Sequence, residues 1–200
     1  MSGHYTENGY YVYDSEPTHG RGGGHARVTA RELETRRGSV IVDMSGSHLE
    51  EVPSGEGKRL FTSGLSGCTA IGIIAQDASG KRTTFLQHAD PFQMIFRDMG
   101  GVSLPRVDAV SGKAIIMAQG YGSPVALSEA GDRPPHLKQA DAVYDIAHQL
   151  GQMVGTENVH IVPYSGAIER TDSNPYANSL VVDVSQDGLG TFLADGWYSA

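Results

Sequence analysis

The chain has 200 residues with a formal net charge of −8, and 39% of them are hydrophobic while 26 are glycines. This length suits one domain, the glycine content favours a sheet-rich fold, and the acidity argues against nucleic acid or an anionic membrane as the main partner. No run approaches the roughly 18 apolar residues of a membrane-spanning helix, and a cleavable signal peptide is not evident. The single cysteine excludes an internal disulfide. We expect a cytoplasmic protein, or one exported without a cleavable signal peptide.

The first part of the chain differs in composition from the rest. Residues 1–25 are rich in Gly, Tyr and His and end in a run of glycines. They predict a flexible leader, because they cannot bury enough apolar surface to offset the entropy of ordering. The irregularly spaced His4, His19 and His25 are interpreted as solvated side chains rather than a metal site. Residues 26–200 are predicted to form the single folded domain.

The folded part predicts many strands and few helices. A capping box at 29–32 opens a short helix, and residues 45–59 are predicted to form a surface loop. Apolar and β-branched runs predict the strands 39–44, 60–62, 69–75, 81–88, 113–118, 158–163 and 179–184. The aromatic C-terminal end, with Phe192, Trp197 and Tyr198, is expected to close the sheet edge.

Two further helices are predicted from capping and periodicity. Asp90 and Pro91 fit the N-cap and first position of a helix that ends at the glycines 100–101. Four large apolar residues of this helix are at helical spacing and are expected in the core: Phe92, Ile95, Phe96 and Met99. A longer helix over about 136–154 has an apolar stripe that should lie on the sheet. Together these elements predict a single α/β domain with a central mixed β-sheet or β-sandwich flanked by helices.

The only cysteine, Cys68, and a histidine, His88, lie on two predicted strands joined by a short turn. If residues 78–80 form a three-residue hairpin loop, His88 lies opposite Ala70 and Cys68 is its diagonal neighbour on the same face. A loop one residue different places the two on opposite faces. An imidazole near a thiol can activate it and then protonate a leaving group. The spacing permits, without demanding, a cysteine nucleophile and a histidine base at an open cleft.

The residues just before the cysteine suggest a second feature of such a site. Ser66 and Gly67 precede Cys68 in a bend of small residues, where Gly64 and Gly67 can adopt positive φ. Backbone N–H groups at such a bend can stabilise a developing oxyanion. The alternative interpretation is a buried, structural Cys68 and a surface His88.

The segment Leu65-Ser66-Gly67-Cys68-Thr69, an apolar strand, a short turn and a second strand ending in His88 resembles the catalytic core of the toxin-type glutamine deamidases. That family includes the catalytic domain of cytotoxic necrotizing factor and Burkholderia lethal factor 1, and the chemoreceptor glutamine deamidases are more distantly similar. The resemblance covers about residues 60–90. It implies that Cys68 is the nucleophile, that His88 is the base, and that Thr62, six positions before the cysteine, contributes to the site.

The resemblance also implies a fold like that of these deamidases and a function. A glutamine side chain of a target protein would be hydrolysed to glutamate through a thioester on Cys68, with no metal or cofactor. The chain would be a bacterial effector or toxin, secreted or translocated into a target cell, monomeric, with the target protein as its partner and neither nucleic acid nor membrane. The residues alone leave a transglutaminase or a cysteine protease open, since these share the acyl-enzyme step, and also a non-enzymatic binding protein with a structural cysteine.

Other residues are weaker candidates for the site. His160 becomes a candidate base if His88 points away, and the loop 119–135 and the aromatic end at Trp197 and Tyr198 could frame the substrate cleft. Three aspartates could orient an imidazole, and the sequence does not choose between them: Asp90, Asp183 and Asp187.

Overall fold

The computed structural model describes residues 3–5, 11–13, 39–96, 99–131, 134–165, 178–194 and 197–199. Within the predicted leader, strands β1 (Gly3–Tyr5) and β2 (Tyr11–Tyr13) pair antiparallel. The other residues of 1–25 and the short helix predicted after the capping box lie outside the described residues. Among the residues that are described, no helix is long and apolar enough to cross a membrane.

The rest of the described chain is mostly β-strand. Its strands are β3 Ser39–Ile41, β4 Ser47–Val52, β5 Lys58–Thr62, β6 Thr69–Gln76, β7 Arg82–Ala89, β8 Ser111–Tyr121, β9 Val125–Ala126, β10 His136–Leu137, β11 Val159–Tyr164, β12 Leu180–Val184, β13 Thr191–Ala194 and β14 Trp197–Ser199. The α-helices are α1, Pro91–Ile95, and α2, Ala140–Val154. Short 3₁₀ helices cover Leu127–Glu129 and Thr156–Asn158.

These strands form two sheets that pack face to face. The larger has the order β4-β7-β6-β8-β11-β9, with β10 also paired to β8, and the smaller has the order β14-β13-β12-β5-β3. Strands β8 and β11 are parallel, as are β3 and β5, and their other neighbours are antiparallel. The predicted α/β class with a mixed sheet or sandwich is therefore confirmed, and β14 lies at the edge of the smaller sheet as expected.

Strand β6 is buried on both faces, which explains its continuous apolar sequence. Ile71 and Ile73 belong to a core beneath α2, while Ala70 and Ile74 belong to a second core between the two sheets. The side chains alternate because successive residues of a strand point to opposite faces. The even-numbered residues of this part of β6 therefore face the smaller sheet.

Gly72 on β6 faces side chains of the smaller sheet at close range. A Cβ atom there would be 2.9 Å from Cγ2 of Ile115 and 2.9 Å from Cγ2 of Val182. Gly72→Ala is therefore expected to lower the free energy of unfolding by about 1–3 kcal/mol through overpacking. Urea unfolding measures this, with Gly131→Ala as the control, since a Cβ at Gly131 meets no atom within 4 Å. Equal stability of Gly72→Ala and wild type would contradict the close packing.

Two predicted boundaries were wrong because strand pairing overrides local sequence signals. The predicted loop 45–59 contains β4, a partly exposed strand of polar residues that pairs with β7. The long helix begins at Ala140 rather than 136, since the backbone of His136 and Leu137 pairs with β8. The buried side of α2 packs on the sheet as predicted, through Ala142, Val143, Ile146, Ala147, Leu150 and Val154.

The prediction for the apolar residues after Asp90 was also wrong. Asp90 does cap α1, in a capping box with Gln93, but the helix ends at Ile95 and Met94 is its buried residue. The four residues expected in the core are exposed instead: Phe92 by 73%, Ile95 by 60%, Phe96 by 52% and Met99 by 83%. Helical spacing predicted one apolar face, but a helix this short turns only one residue inward. An exposed apolar surface therefore follows β7 directly.

Candidate functional site

The hairpin formed by β6 and β7 has the predicted register. Gly80 has φ +83° in the turn, and Ala70 is paired with His88. Cys68, just before β6, packs with Ala70 in the core between the sheets, and His88 reaches Thr62 on the smaller sheet. The expectation that Cys68 and His88 share a face is therefore confirmed.

His88 is oriented by a threonine from the opposite sheet. Oγ1 of Thr62 donates a hydrogen bond to the carbonyl oxygen of Val42, at 2.7 Å, and lies 2.8 Å from Nδ1 of His88. Since the hydroxyl proton is used on Val42, Nδ1 of His88 must carry the proton that Oγ1 accepts. The other ring nitrogen, Nε2, is buried and has no hydrogen-bond partner among the described residues. This hydrogen-bond pattern fixes the tautomer in which Nε2 carries the lone pair.

The electrostatics of the site favour neutral groups. Burial raises the pKa of the Cys68 thiol, the Asp90 carboxylate raises it further, and a hydrogen bond from the Ser66 backbone opposes this. Burial lowers the pKa of His88, while the carboxylates of Asp43 and Asp90 act in the opposite direction. Ordinary values are about 8.5 for a thiol and about 6.5 for an imidazole. At neutral pH the pair is therefore a thiol and a neutral imidazole, not an ion pair.

The prediction that the sulfur lies in an open cleft was wrong. Cys68 is 4% exposed and His88 is 2% exposed, and no hydrogen bond joins the thiol to Nε2. Diagonal neighbours on paired strands are separated by about 7–8 Å between Cα atoms, which is within reach of longer side chains. A substrate reaches them only if this edge of the sandwich opens.

The bend before Cys68 has the predicted backbone and an unpredicted partner. Gly64 and Gly67 have φ +70° and +90°. The N–H of Gly67 donates to Oη of Tyr164 at 3.0 Å, and that hydroxyl donates to the carbonyl oxygen of Cys68 at 2.7 Å. The N–H expected to face an oxyanion is therefore already bonded. The sequence offered one signal for Tyr164. It stands at the end of a buried strand, where a tyrosine hydroxyl needs a hydrogen-bond partner.

The remaining candidates lie away from the sulfur. His160 is four residues before Tyr164 on β11, which is about 13 Å along an extended strand. Asp183 lies opposite Arg59 on the neighbouring strand β5. Since its neighbours Val182 and Val184 face the core, the side chain of Asp183 points to the other face of the smaller sheet. In the described part of the chain, no group of three His, Cys, Asp or Glu residues could hold a metal ion.

Of the three candidate aspartates, Asp90 acts electrostatically on the imidazole, but its carboxylate has other partners. Oδ1 accepts hydrogen bonds from the backbone N–H groups of Phe92 and Gln93, and Oδ2 accepts one from the Ser45 hydroxyl at 2.5 Å. The exposed Asp187 lies in the turn after β12. The group bonded to Nδ1 of His88 is therefore Thr62, the position that the sequence resemblance indicated.

Asp183 predicts a pH dependence of stability that is separate from the site. Burial raises its pKa to about 7, although Arg59 opposes the shift. Between about pH 4 and 7 the folded protein keeps this proton while the unfolded chain releases it, so Asp183 lowers stability as pH rises. Asp183→Asn should therefore be more stable than wild type at pH 8, with a smaller difference at pH 4. Urea unfolding at both values, with Asp187→Asn as control, checks this; identical pH dependence in wild type and Asp183→Asn would refute it.

A cleft opens at the same edge of the larger sheet, where the parallel strands β8 and β11 end. Its volume is about 700 Å³, and Gln119 and Ser165 line the end near the bend. Oε1 of Gln119 lies 3.6 Å from where a Cβ of Gly67 would be. Residues 119–121, 134 and 135 line this cleft. The prediction of a loop over 119–135 was wrong in part, because 119–121 belong to β8 and 125–126 form β9. The side chains of Trp197 and Tyr198 are outside the described residues.

No protein-family model matches the sequence, and no curated protein matches it. The class of the protein therefore rests on its fold and its site residues. It is a mixed α/β sandwich with a cysteine, a histidine and a threonine at one edge.

Proposed function

We propose that the chain is a cysteine-dependent hydrolase that converts a glutamine side chain of a target protein to glutamate. The hydrogen bond between Thr62 and His88 is the observation that supports this most directly. The two residues are on different sheets, and Cys68 shares their core. These are the three positions that the resemblance to the toxin deamidases singles out.

In the first step, Nε2 of His88 accepts the thiol proton while the sulfur of Cys68 attacks the amide carbon. The carbonyl π electrons move to oxygen and give a tetrahedral oxyanion. Nδ1–H stays bonded to Thr62, so the ring keeps its orientation as it becomes an imidazolium. The carboxylates of Asp43 and Asp90, which oppose the lowering of the His88 pKa by burial, stabilise that charge.

In the second step, the imidazolium returns its proton to the amide nitrogen, the C–N bond breaks and ammonia leaves. A thioester on Cys68 remains. Nε2 of His88 then takes a proton from water as the oxygen attacks the thioester carbon. The C–S bond breaks, and the imidazolium returns that proton to the leaving sulfur, which releases the glutamate side chain and restores the thiol. Each proton moves through the one ring nitrogen that has no partner in the resting site.

The resting site must rearrange before this chemistry. For the N–H of Gly67 to stabilise the oxyanion, its hydrogen bond to Tyr164 has to break. An oxyanion donor of this kind lowers the activation barrier by roughly 3–4 kcal/mol. Substrate binding that displaces the tyrosine hydroxyl would therefore be productive. The buried resting thiol would be protected from other reagents until then.

The setting follows from the resemblance. The chain would act as a monomeric bacterial effector or toxin inside a target cell. Its product has one more negative charge than the substrate, enough to disable a catalytic or interface glutamine of the target. The partner is the protein that presents this glutamine.

The test is an incubation of cell lysate with wild type or with Cys68→Ser, followed by peptide mass spectrometry. We expect a specific glutamine to become glutamate with wild type alone. New chain termini would instead indicate a protease, and glutamine joined to amines would indicate a transglutaminase. Full biological effect of Cys68→Ser would reject the enzyme and leave a binding protein.

Thr62→Val is expected to lower the deamidation rate by about 10- to 100-fold, the range that applies to groups orienting a metal-bound imidazole. Valine has nearly the same shape but leaves Nδ1–H of His88 and the carbonyl of Val42 without their partner. Stability should fall by about 1–3 kcal/mol for the same reason. Thr62→Ser, which keeps the hydroxyl, is the matched control; kinetics of Thr62→Val equal to those of the control would show that Oγ1 does not orient the ring.

A further inference from the structure

Two backbone donors of the bend before Cys68 are already used. The N–H of Ser66 bonds the Cys68 sulfur, and the N–H of Gly67 bonds Oη of Tyr164 at 3.0 Å. Tyr164 is 1% exposed, so its hydroxyl moves only if the close packing around it changes. An oxyanion formed at Cys68 is therefore stabilised more readily by a donor outside the bend.

The side chain of Gln119 points at this bend. Ile115 and Met117, which precede it on β8, face the core between the sheets, and that core also contains Cys68. Because side chains alternate along a strand, Gln119 is directed to the same face. Oε1 of Gln119 lies 3.6 Å from where a Cβ of Gly67 would be, in agreement with that direction. The amide end of the side chain is therefore beside the bend.

The backbone of Gln119 is held by two neighbouring segments. It pairs with Tyr164 of the parallel strand β11, and its carbonyl oxygen accepts a hydrogen bond from the N–H of Lys138 at 3.0 Å. The side chain ends in an amide with one acceptor oxygen and an NH₂ group that has two donor hydrogens. Rotation about its last bond exchanges the oxygen and the NH₂ group. The donor can therefore reach the bend without any change in the strands.

Gln119 also faces open space. It is half-buried and lines the cleft of about 700 Å³ at this edge of the sheet. Cys68, in contrast, is buried. Gln119 therefore lies at the boundary between the cleft and the bend that carries the sulfur, where its amide can contact a carbonyl group that is brought to Cys68.

We propose that the side-chain amide of Gln119 is the oxyanion donor of this site. As the sulfur of Cys68 bonds the carbonyl carbon, the π electrons move to oxygen, and the N–H of Gln119 donates to that oxygen. The charge is lost again when the carbonyl re-forms and the leaving group departs. The place of this donor in deamidation rests on the proposed function, but any acyl transfer through Cys68 would use it.

The test compares two reagents that modify Cys68 by different routes. p-Nitrophenyl acetate transfers its acetyl group to the sulfur through an oxyanion and releases p-nitrophenolate, whereas iodoacetamide alkylates the sulfur by displacement of iodide, without an oxyanion. Both need the same thiolate and the same opening of the site, so these factors cancel in the ratio of acylation rate to alkylation rate. Gln119→Met has a similar length but no donor. We expect its ratio to fall about tenfold or more, at an unchanged alkylation rate.

Two further variants make the comparison specific. Gln119→Glu keeps the length and polarity, which guards against a packing defect in Gln119→Met, but its carboxylate is ionised at neutral pH and cannot donate, so its ratio should also fall. Tyr121→Phe, on the same strand and in the same cleft, should keep the wild-type ratio. A wild-type ratio in either Gln119 variant would overturn the proposal, because the residue would then affect only packing or access. An equal fall of the ratio in Tyr121→Phe would overturn it too.

These outcomes are separate from the fate of the proposed function. With the target protein as substrate, kcat of Gln119→Met should fall by about 10²- to 10³-fold with little change in KM, since the oxyanion exists only along the reaction path. A lower acylation ratio combined with no ammonia release by wild type would keep the donor and reject deamidation. Ammonia release with equal kcat by wild type and Gln119→Met would reject the donor and keep deamidation.

Discussion

Replacing His88 with alanine is expected to lower the rate of ammonia release by roughly 10²- to 10⁴-fold, the usual contribution of a general acid–base group. The thiol pKa is raised by burial, so little thiolate exists at neutral pH without a neighbouring base. Nε2 of His88 is the group on the same face that has a free lone pair. A coupled ammonia assay, with the target protein that wild type deamidates as substrate, measures the rate. His148→Ala, at an exposed position, is the control.

The pH dependence makes the same experiment sharper. Burial lowers the pKa of His88, so wild-type activity should be lost only below the ordinary imidazole value of about 6.5 as the pH falls. His88→Ala should lack this acid limb, and its residual activity should rise with pH because hydroxide then deprotonates the thiol. A variant with the wild-type rate and pH profile would exclude His88 as the base.

Arg82→Met is expected to lower the free energy of unfolding by about 3–5 kcal/mol. This is less than the sum of four hydrogen bonds of a charged group at roughly 1.5–3 kcal/mol each, because methionine also removes the cost of burying a charge. Arg82 is 4% exposed and its guanidinium donates to four backbone carbonyls. Nη1 bonds Ser185 and Gly188, and Nη2 bonds Pro53 and Glu56, the last two both at 2.7 Å. Two of these carbonyls lie between β4 and β5, and the other two lie between β12 and β13 of the smaller sheet. A side chain from β7 of the larger sheet therefore bonds the connections of the smaller one.

Arg82→Lys is the matched variant for this prediction. Lysine keeps the positive charge but cannot present the planar fork that reaches four carbonyls, so we expect an intermediate loss of stability. Deamidation by the folded fraction should be unchanged, because Arg82 and His88 are at opposite ends of β7, about 20 Å apart. Urea unfolding of Arg82→Met within about 0.5 kcal/mol of wild type would show that the four bonds are not stabilising.

The local parts of the site could be predicted from the sequence. The turn residues around Gly80 determine the loop length, and the loop length determines that His88 pairs with Ala70. The contact between Thr62 and His88 could not be predicted from spacing, because it joins two sheets whose packing depends on the whole core. Only the resemblance at residues 60–90 pointed to Thr62.

Burial was the property that the sequence predicted least well. Cys68 was expected in an open cleft and is buried, whereas four apolar residues after Asp90 were expected in the core and are exposed: Phe92, Ile95, Phe96 and Met99. Both depend on which elements cover a segment, and spacing along one element contains no such information. Tyr164 was missed for a related reason, since its hydroxyl bonds a bend almost a hundred positions earlier in the chain.

The most direct test of the central claim is a search for the thioester. The protein that wild type deamidates is mixed with it, the reaction is quenched in acid during turnover, and the digested enzyme is analysed by mass spectrometry. We predict a glutamine-derived acyl group on Cys68, equal in mass to the substrate fragment minus ammonia and absent from Cys68→Ala. Ammonia release without any adduct on that sulfur, or release that persists in Cys68→Ala, would contradict the account.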